Sequence, residues 1–217
     1  MIIAIDGPAG VGKSTVARKI AEELDMFYLN SGNFYRAITY AHLPNLKNGV
    51  NSIDSVSLTA TAAAADITLI QGRIHLSEMD VEDLLHSDAV DAWVAQVSAV
   101  VPVRHIVNDI VRLVTQGLDA VIEGRDIGTV VFPDAELKVY MDADVDVRAK
   151  RRFQQGTSGK SLEELKANIT MRDKIDKNKD EGSLVQTADA FYLDTSHLTI
   201  EQVCDKVVRK IRESRTQ

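Results

Sequence analysis

The sequence predicts an α/β protein in which a parallel sheet of five strands lies between two layers of helices. Short apolar runs typical of buried strands alternate with longer amphipathic segments typical of helices. The first apolar run leads at once into a glycine-rich loop and a helix. A small α+β segment interrupts the alternation, so we expect a three-layer α/β/α core with an insertion and a short helical lid.

Five short runs supply the predicted strands of the sheet. Each run is apolar and is bounded by polar or glycine-containing turns, as buried strands usually are. The runs are Met1–Ile5, Phe27–Leu29, Ala120–Ile122, Leu137–Met141 and Ala190–Leu193.

Helices are predicted between these strands from their 3.6-residue apolar period. Ser31 is expected to cap one of them, and Thr199 with Gln202 is expected to form a capping box for the last one. The predicted helices cover Thr15–Leu24, Ser31–His42, Pro102–Gln116, Asp144–Gln154, Ser161–Lys179 and the segment after Thr199.

The insertion is predicted to mix helix and hairpin. Pro44–Asn51 reads as a loop rich in Asn, Gly and Pro, and Ser57–Ala65 reads as an alanine-rich helix. Residues Asp66–Ile70 and Arg73–Leu76 alternate apolar and polar positions around Gln71-Gly72, which predicts a β-hairpin.

Composition restricts the class of protein. The 217 residues carry 25 Lys and Arg against 32 Asp and Glu, a net charge of −7, which disfavours broad nucleic-acid binding. No run approaches the eighteen apolar residues of a membrane span, and the N-terminus fits no signal or transit peptide. The one cysteine, Cys204, lies on the apolar face of the last helix, which favours a reducing cytoplasm.

A phosphate-binding loop (P-loop) follows the first predicted strand. Residues Gly7 to Ser14 match G-x-x-x-x-G-K-[ST] between a strand and a helix, the context that such a loop needs. Glycines let backbone N–H groups turn toward phosphate oxygens, and the helix start adds further donors. We expect Lys13 to reach the β- and γ-phosphates of a nucleoside triphosphate and Ser14 to ligate Mg²⁺, partly through water. The residues expected to contact the triphosphate are Gly7, Pro8, Ala9, Gly10, Val11, Gly12, Lys13, Ser14 and Thr15.

A second candidate segment, Glu123–Asp126, follows the strand Ala120–Ile122 at the sheet edge where open α/β sheets bind ligands. Arg125 offers a bidentate guanidinium to a phosphate. Asp126 is open to three roles: it could bind a sugar or base donor, orient Arg125, or contact Mg²⁺ through water.

Three further groups of side chains are candidates. Ser31 and Tyr35 share one face near a helix N-terminus, a position suited to an anion. Arg172, Asp176 and Lys179 share one helix face, although Asp173–Lys177 and its neighbours also resemble solvated ion pairs. The third group precedes the glycine-flanked break at residues 156–159, where a cationic lid would start, and comprises Arg148, Arg151 and Arg152.

No convincing general base accompanies the P-loop, as a kinase acting on alcohols would usually need. A nucleotide monophosphate needs none, because its second pKa of about 6 leaves it mostly dianionic at pH 7. Catalysis would then depend on alignment and charge neutralisation by Lys13, Mg²⁺ and arginines.

With these motifs the chain resembles the bacterial cytidylate kinases of the nucleoside monophosphate kinase family over essentially its whole length. The segments that carry the resemblance are Ile5–Thr15, Ser31–Arg36 and Glu123–Glu136. The resemblance implies a P-loop NTPase fold and MgATP-dependent conversion of CMP or dCMP to the diphosphate. It also implies a core (1–37, 98–152 and 181–217), a monophosphate-binding insertion (38–97) and a lid region (153–180).

The same resemblance implies roles at the acceptor nucleotide. Arg36, Arg125 and Lys179 would lie near its phosphate, and Arg104 with Asp126 would read the cytosine edge. The residues that would surround the acceptor are Ser31, Tyr35, Arg36, Arg104, Arg125, Asp126, Arg172 and Asp176.

The sugar would contact Arg172 and Asp176, and Arg148 with Arg152 would belong to the lid. Together with Lys13 and Arg125, these two lid arginines form the predicted catalytic set. We expect a monomer that binds ATP, CMP and dCMP, with no nucleic-acid or membrane partner.

Four positions depart from the family pattern. Asn30 stands where aspartate is usual, Ala95 replaces a cytosine-contacting serine with Ser98 one turn away, and His86 and Lys179 replace arginines. Because these changes affect base recognition more than phosphoryl transfer, UMP could be a better substrate than in relatives. Two alternatives remain: a P-loop kinase for another nucleotide or small metabolite, and a regulatory NTPase without an acceptor.

Overall fold

A computed structural model describes residues 1–46, 53–156 and 159–214. Two compact units divide the chain, and each has its own secondary structure. One unit comprises Met1–Leu29 with Gly117–Gln217, and the other comprises Asn30–Gln116.

A five-stranded parallel sheet organises the first unit, as predicted. Its order is β2-β6-β1-β7-β8, and β1 lies at the centre with parallel partners on both sides. The strands are β1 (Ile2–Asp6), β2 (Phe27–Asn30), β6 (Ala120–Gly124), β7 (Leu137–Asp142) and β8 (Phe191–Asp194).

Helices of this unit pack on the sheet and on one another: α1 contacts β6 and α8, and α6 contacts α7. A π-helical turn, Ile127–Val131, follows β6 and is absent from the sequence-based prediction. The helices are α1 (Lys13–Glu23), α6 (Val145–Gln154), α7 (Leu162–Lys177) and α8 (Ile200–Ser214).

The core of this unit confirms the predicted burial patterns. β1 is buried almost throughout because it is central, and the apolar face of α8 packs beside it in the same hydrophobic cluster. Cys204 is a buried free thiol on that face. The capping box is also confirmed, since Thr199 and Gln202 exchange hydrogen bonds between backbone N–H groups and side-chain oxygens.

The second unit is α+β. Its helices are α2 (Ser31–His42), α3 (Ser55–Ala64), α4 (Asp88–Val97) and α5 (Val101–Val114). The predicted hairpin is confirmed as β3 (Ile67–Ile70) and β4 (Arg73–Leu76), and a short third strand that was not predicted, β5 (Met79–Asp80), pairs with β4.

The N-cap prediction for α2 is wrong by one residue. Asn30, not Ser31, is the cap, because its Oδ1 accepts a hydrogen bond from the backbone N–H of Gly32 at 2.9 Å. Ser31 is instead the first residue of the helix and is buried. An asparagine at this position therefore has a structural reason.

Two predicted loops fall partly outside the described residues. The loop predicted at Pro44–Asn51 begins within a 3₁₀ turn, Leu43–Asn45, and residues 47–51 lie outside the described residues. Of the predicted break at 156–159, Thr157 and Ser158 lie outside them. Within the described ranges, no helix is long and apolar enough to cross a membrane.

Candidate active site

The P-loop and the segment Glu123–Asp126 start at the same edge of the sheet. Strands β1 and β6 are parallel neighbours in a register that places Asp6 beside Gly124. Each candidate segment continues from the carboxyl end of its strand, so the two lie next to each other at the edge where such sheets bind ligands. Strand order thus joins two motifs that are far apart in the sequence.

Backbone geometry explains why glycines occupy the two ends of the loop. A Cβ built on Gly7 would lie 2.1 Å from the carbonyl oxygen of Met141 in the neighbouring strand, so only glycine fits. Gly12 is the N-cap of α1 and has φ 100°, a left-handed conformation that favours glycine. Without a capping side chain there, the first N–H groups of α1 remain available to an anion.

Lys13 lies folded back on the loop. Its Nζ donates to the carbonyl oxygens of Gly7 (2.7 Å) and Pro8 (2.8 Å), and the residue is only 6% exposed. Burial, and then the positive charge of Arg125, lower the pKa of Lys13 to about 7, although Glu123 and Asp6 oppose the change. Two cations are therefore held close together in a desolvated place, which favours a polyanionic ligand.

Arg125 belongs to an ion-pair cluster with α7 and the residues after it. Its Nε donates to Oδ2 of Asp176 at 2.8 Å, and Nζ of Lys179 lies 2.7 Å from the other oxygen, Oδ1. The side chains of Asp176 and Lys179 are almost fully buried. Burial alone would raise the pKa of Asp176, but Arg125 and Lys179 hold it well below its usual range. The predicted helix face is thus a buried cluster and not a solvated one.

Arg148 connects α6, α7 and the P-loop. Its Nε donates to the carbonyl oxygen of Ala143 (2.9 Å), Nη1 donates to that of Ala9 (3.0 Å), and Nη2 lies 2.7 Å from Oδ2 of Asp173. The helix spacing suggested a local pair of Asp173 with Lys177 and did not indicate this contact of Asp173 with Arg148. Arg148 therefore touches the P-loop from a fixed, buried position.

The other two arginines of this segment differ in their surroundings. Arg151 donates to the carbonyl oxygen of Thr195 at 2.6 Å and approaches that of Val11 at 3.4 Å. Arg152 lies farther along α6, where its Nη1 is 3.4 Å from Oε1 of Gln155. Arg172 is partly buried on α7, next to Asp173.

A tyrosine and a glutamate lie beside Ser14 at the start of α1. The Tyr28 hydroxyl donates to Oε1 of the buried Glu123 at 2.7 Å, and the Arg18 guanidinium lies 5.2 Å from the tyrosine ring centroid. Burial and then Glu123 raise the pKa of Tyr28 far above its ordinary value, whereas the neighbouring Ser14 hydroxyl opposes the rise. The Tyr28 phenol thus lies between Glu123 and Ser14, the residue predicted to ligate Mg²⁺.

Asp6 is a site residue without a predicted role. Its Oδ1 accepts the backbone N–H of Ile127 (2.9 Å) and its Oδ2 accepts that of Gly128 (2.8 Å). The carboxylate therefore links the residue before the P-loop to the turn that follows Arg125 and Asp126. The separation of 121 positions between Asp6 and Ile127 leaves no local spacing signal from which to predict this contact.

In the second unit, Arg36 is held by α4 and the segment before it. Its Nη1 lies 2.7 Å from Oδ1 of Asp91 and donates to the carbonyl oxygen of Leu85 at 2.8 Å. Both charged side chains are largely buried. His86, next to Leu85, is exposed.

Arg104 and Tyr35 lie together in the same unit. Arg104 is 1% exposed, its Nη1 donates to the carbonyl oxygen of Ser98 at 2.8 Å, and its guanidinium lies 5.7 Å from the Tyr35 ring centroid. The Ser98 hydroxyl donates to the carbonyl oxygen of Ala95. Ser98 thus supports Arg104 through its backbone, which no sequence pattern indicated.

Comparison with known proteins decides the family. The family model for cytidylate kinase matches residues 3–213. A cytidylate kinase from Borreliella burgdorferi (strain ZS7) is 40% identical over 212 residues, covering 97% of this chain and 96% of that protein. One from Halalkalibacterium halodurans is 37% identical and covers 98% of each.

The chain belongs to the cytidylate kinase family. Membership in this family makes it a nucleoside monophosphate kinase with ATP as the phosphate donor. A bifunctional pantoate ligase/cytidylate kinase from Synechococcus sp. (strain JA-3-3Ab) is 45% identical, and the chain spans 41% of the length of that relative. Among solved structures, a shikimate kinase from Acinetobacter baumannii covers the whole chain with a TM-score of 0.55 and 16% identity, which supports the P-loop kinase fold.

Proposed function

We propose that this member of the cytidylate kinase family transfers the γ-phosphoryl group of MgATP to CMP or dCMP, producing ADP and CDP or dCDP. The observation that carries the proposal is the pair of cations Lys13 and Arg125. Both are held near the P-loop, where burial and mutual repulsion lower the pKa of Lys13 to about 7. A phosphoryl group passing between two phosphates is the ligand whose charge best compensates such a pair.

The transfer proceeds in line, without a general base. The acceptor phosphate is already mostly dianionic at pH 7, so its oxygen attacks the γ-phosphorus directly while the bond to the β-phosphate oxygen breaks. Lys13 moves from the loop carbonyls onto the β- and γ-phosphates, and Arg125 neutralises the acceptor side. The loop amides and the start of α1 hold the donor phosphates in position.

Arg148 and Arg152 are proposed to serve the donor side. Arg148 already contacts the P-loop carbonyl of Ala9, and three of its five N–H donors have assigned acceptors. The remaining donors suit a phosphate oxygen beside the loop. Arg152 lies farther out on α6 and would reach a phosphate only after movement of the lid region, residues 153–180.

The residues at the start of α1 suit Mg²⁺ that arrives with the triphosphate. Mg²⁺ keeps several waters and binds proteins through one or two oxygens plus substrate phosphates. The Ser14 hydroxyl, which lies beside the Tyr28 phenol, would supply one such oxygen, and Glu123 would hold water of the hydration shell. When bound, the ion neutralises charge on the β- and γ-phosphates.

The acceptor nucleotide is proposed to bind through the residues that the family resemblance implies. Arg36, Arg125 and Lys179 would contact its phosphate. Arg104, already fixed by Ser98 and stacked near Tyr35, would read the cytosine edge with Asp126. The sugar and remaining contacts would fall to Ser31, Tyr35, Arg172 and Asp176.

We also propose a monomer that acts in the cytoplasm with small nucleotides as its partners. The net charge of −7 and the buried thiol of Cys204 support this environment. The division into a core, a monophosphate-binding insertion at 38–97 and a lid at 153–180 stays a prediction.

A coupled assay for ADP release tests the proposed function. With MgATP and a panel of acceptors, kcat/KM for CMP and dCMP should exceed that for AMP by at least about 100-fold, because buried polar groups that lose their partner reject the wrong base. The kcat/KM for UMP should fall between the values for CMP and AMP, since Ala95 stands where the family pattern has a serine hydroxyl. Equal values for CMP and AMP, or ADP release without any acceptor, would contradict the proposal.

A further inference from the structure

We propose that Asp6 is a positioning residue for acceptor binding, which fixes the turn carrying Arg125 and Asp126 against the start of the P-loop. The inference rests on the proposed function, since it takes Arg125 and Asp126 to contact the acceptor nucleotide. Asp6 itself would touch no substrate, and its effect would pass through the backbone of the turn.

The two hydrogen bonds of Asp6 use donors that the turn cannot satisfy internally. The N–H groups of Ile127 and Gly128 are the first two of the π-helical turn Ile127–Val131, and the first donors of a helical turn have no partner within it. Farther along, the N–H groups of Val130 and Val131 donate to the carbonyl oxygen of Asp126 at 2.9 and 3.2 Å. The turn is therefore closed by its own backbone and tied to β1 by one carboxylate.

Gly128, the second donor of the turn, lies close to the side chains of Asp6 and Lys138. A Cβ built on Gly128 would lie 3.4 Å from Oδ2 of Asp6, and 3.1 Å from Cγ of Lys138. Both Asp6 oxygens are directed to the turn, whereas Nζ of Lys13 is bonded to loop carbonyls. The hydrogen bonds of Asp6 thus hold the turn Ile127–Val131 and do not hold the P-loop lysine.

A carboxylate is chemically required at this position, although it is costly to bury. Burial raises the pKa of Asp6 to about 6, and the N–H groups of Gly128 and Ile127 act in the opposite direction. Two adjacent N–H donors need two acceptor oxygens. An asparagine would offer one oxygen and would set its NH₂ group against the second donor.

The position of the turn determines where the acceptor contacts lie. Arg125 and Asp126 directly precede Ile127, and Arg125 also carries the bond to Asp176. A turn that loses one of its two bonds to Asp6 shifts both side chains relative to the P-loop. The hydrogen bonds of the loop to Lys13 and Arg148 do not involve Asp6, which acts on Lys13 only through its charge.

The experiment is Asp6→Asn in the full chain, with steady-state kinetics for both substrates. The KM for CMP should rise at least about tenfold while the KM for ATP stays within about threefold, because the lost contact acts on the acceptor side. The matched control is Glu136→Gln at the opposite end of β1, where Oε2 of Glu136 accepts the N–H of Ile2 at 2.6 Å. The control should leave both KM values unchanged.

Other outcomes overturn the inference. A raised KM for ATP with an unchanged KM for CMP would mean that Asp6 acts through the P-loop. A lower kcat with both KM values unchanged would mean that Asp6 acts on turnover, through its charge near Lys13 or through the folded fraction, and not on acceptor binding. If Asp6→Asn does not fold, Asp6→Ser, which can still accept one N–H, should show the raised KM for CMP, and a wild-type KM there would refute the idea. A wild-type protein that phosphorylates no monophosphate would overturn the proposed function and the inference with it.

Discussion

At the scale of single residues, the site consists of charged side chains held by backbone groups. Lys13 is held by two loop carbonyls, Arg148 by two others and Asp6 by two N–H groups. Arg104 is likewise fixed by the carbonyl oxygen of Ser98 and by the neighbouring Tyr35 ring. Such anchoring holds most of these charges in place before any nucleotide binds, whereas Lys13 must exchange its two carbonyl acceptors for phosphate oxygens.

Removing the P-loop lysine should damage catalysis much more than folding. Lys13→Ala removes the charge that follows the transferring phosphoryl group, so kcat should fall by about 100-fold to 1,000-fold. Because Lys13 is buried at a desolvation cost that lowers its pKa to about 7, the melting temperature should fall little. Turnover with MgATP and CMP and thermal unfolding by circular dichroism measure the two effects. A normal kcat in a well-folded variant would refute the role of Lys13.

At the scale of elements, α7 is attached to the rest of its unit through charges. Asp176 pairs with Arg125 and Lys179, and Asp173 pairs with Arg148. These ion pairs join α7 to Arg125 in the segment Glu123–Asp126 and, through Arg148, to the P-loop. Contacts of this kind can exchange partners when a polyanion binds, which suits a helix inside the lid region that we propose at residues 153–180.

Asp176→Asn should therefore reduce stability strongly at neutral pH. Taking the carboxylate from a buried cluster leaves Arg125 and Lys179 uncompensated, a loss of about 3–5 kcal/mol in the free energy of unfolding. Urea unfolding at pH 7 measures it. The exposed pair of Lys19 and Glu201 provides the control, since Glu201→Gln should change stability little. Equal effects of the two substitutions would contradict the buried-cluster account.

The pH dependence of stability has a sign that follows from the same cluster. Because the pKa of Asp176 is lower in the folded protein than in the unfolded chain, its contribution is present above the ordinary value of 3.8 and is lost as pH falls through the folded value. Wild type should lose stability in this acidic range more steeply than Asp176→Asn. Parallel urea profiles for the two proteins would show that Asp176 is not held in its charged form.

Features of the site could be predicted from the sequence when their residues lie close together along the chain. The P-loop, the hairpin and the capping box at Thr199 were predictable because their signals occupy a few adjacent residues. The cap at Asn30 was misassigned because two neighbouring polar residues both suit an N-cap. Asp173 was expected to pair locally, but strand order and the approach of α6 bring Arg148 to it. Asp6 and the turn Ile127–Val131 are far apart in the sequence, and the parallel pairing of β1 with β6 brings them together.

At the scale of the whole molecule, the fold brings the two predicted phosphate-binding segments to one edge of one sheet. The parallel order β2-β6-β1-β7-β8 gathers the P-loop and Glu123–Asp126 where β1 and β6 end. Within the unit Asn30–Gln116, Arg36 and Arg104 each donate to a backbone carbonyl oxygen. Membership in the cytidylate kinase family and this arrangement agree on one reaction, a transfer between two nucleotides.

Label transfer tests that central claim most directly. The protein is incubated with ATP labelled at the γ-phosphate, MgCl₂ and CMP, and the labelled products are separated. The account predicts that the label moves to CDP, with little inorganic phosphate, and that no label moves when CMP is left out. Label released as inorganic phosphate at the same rate with and without CMP would contradict it.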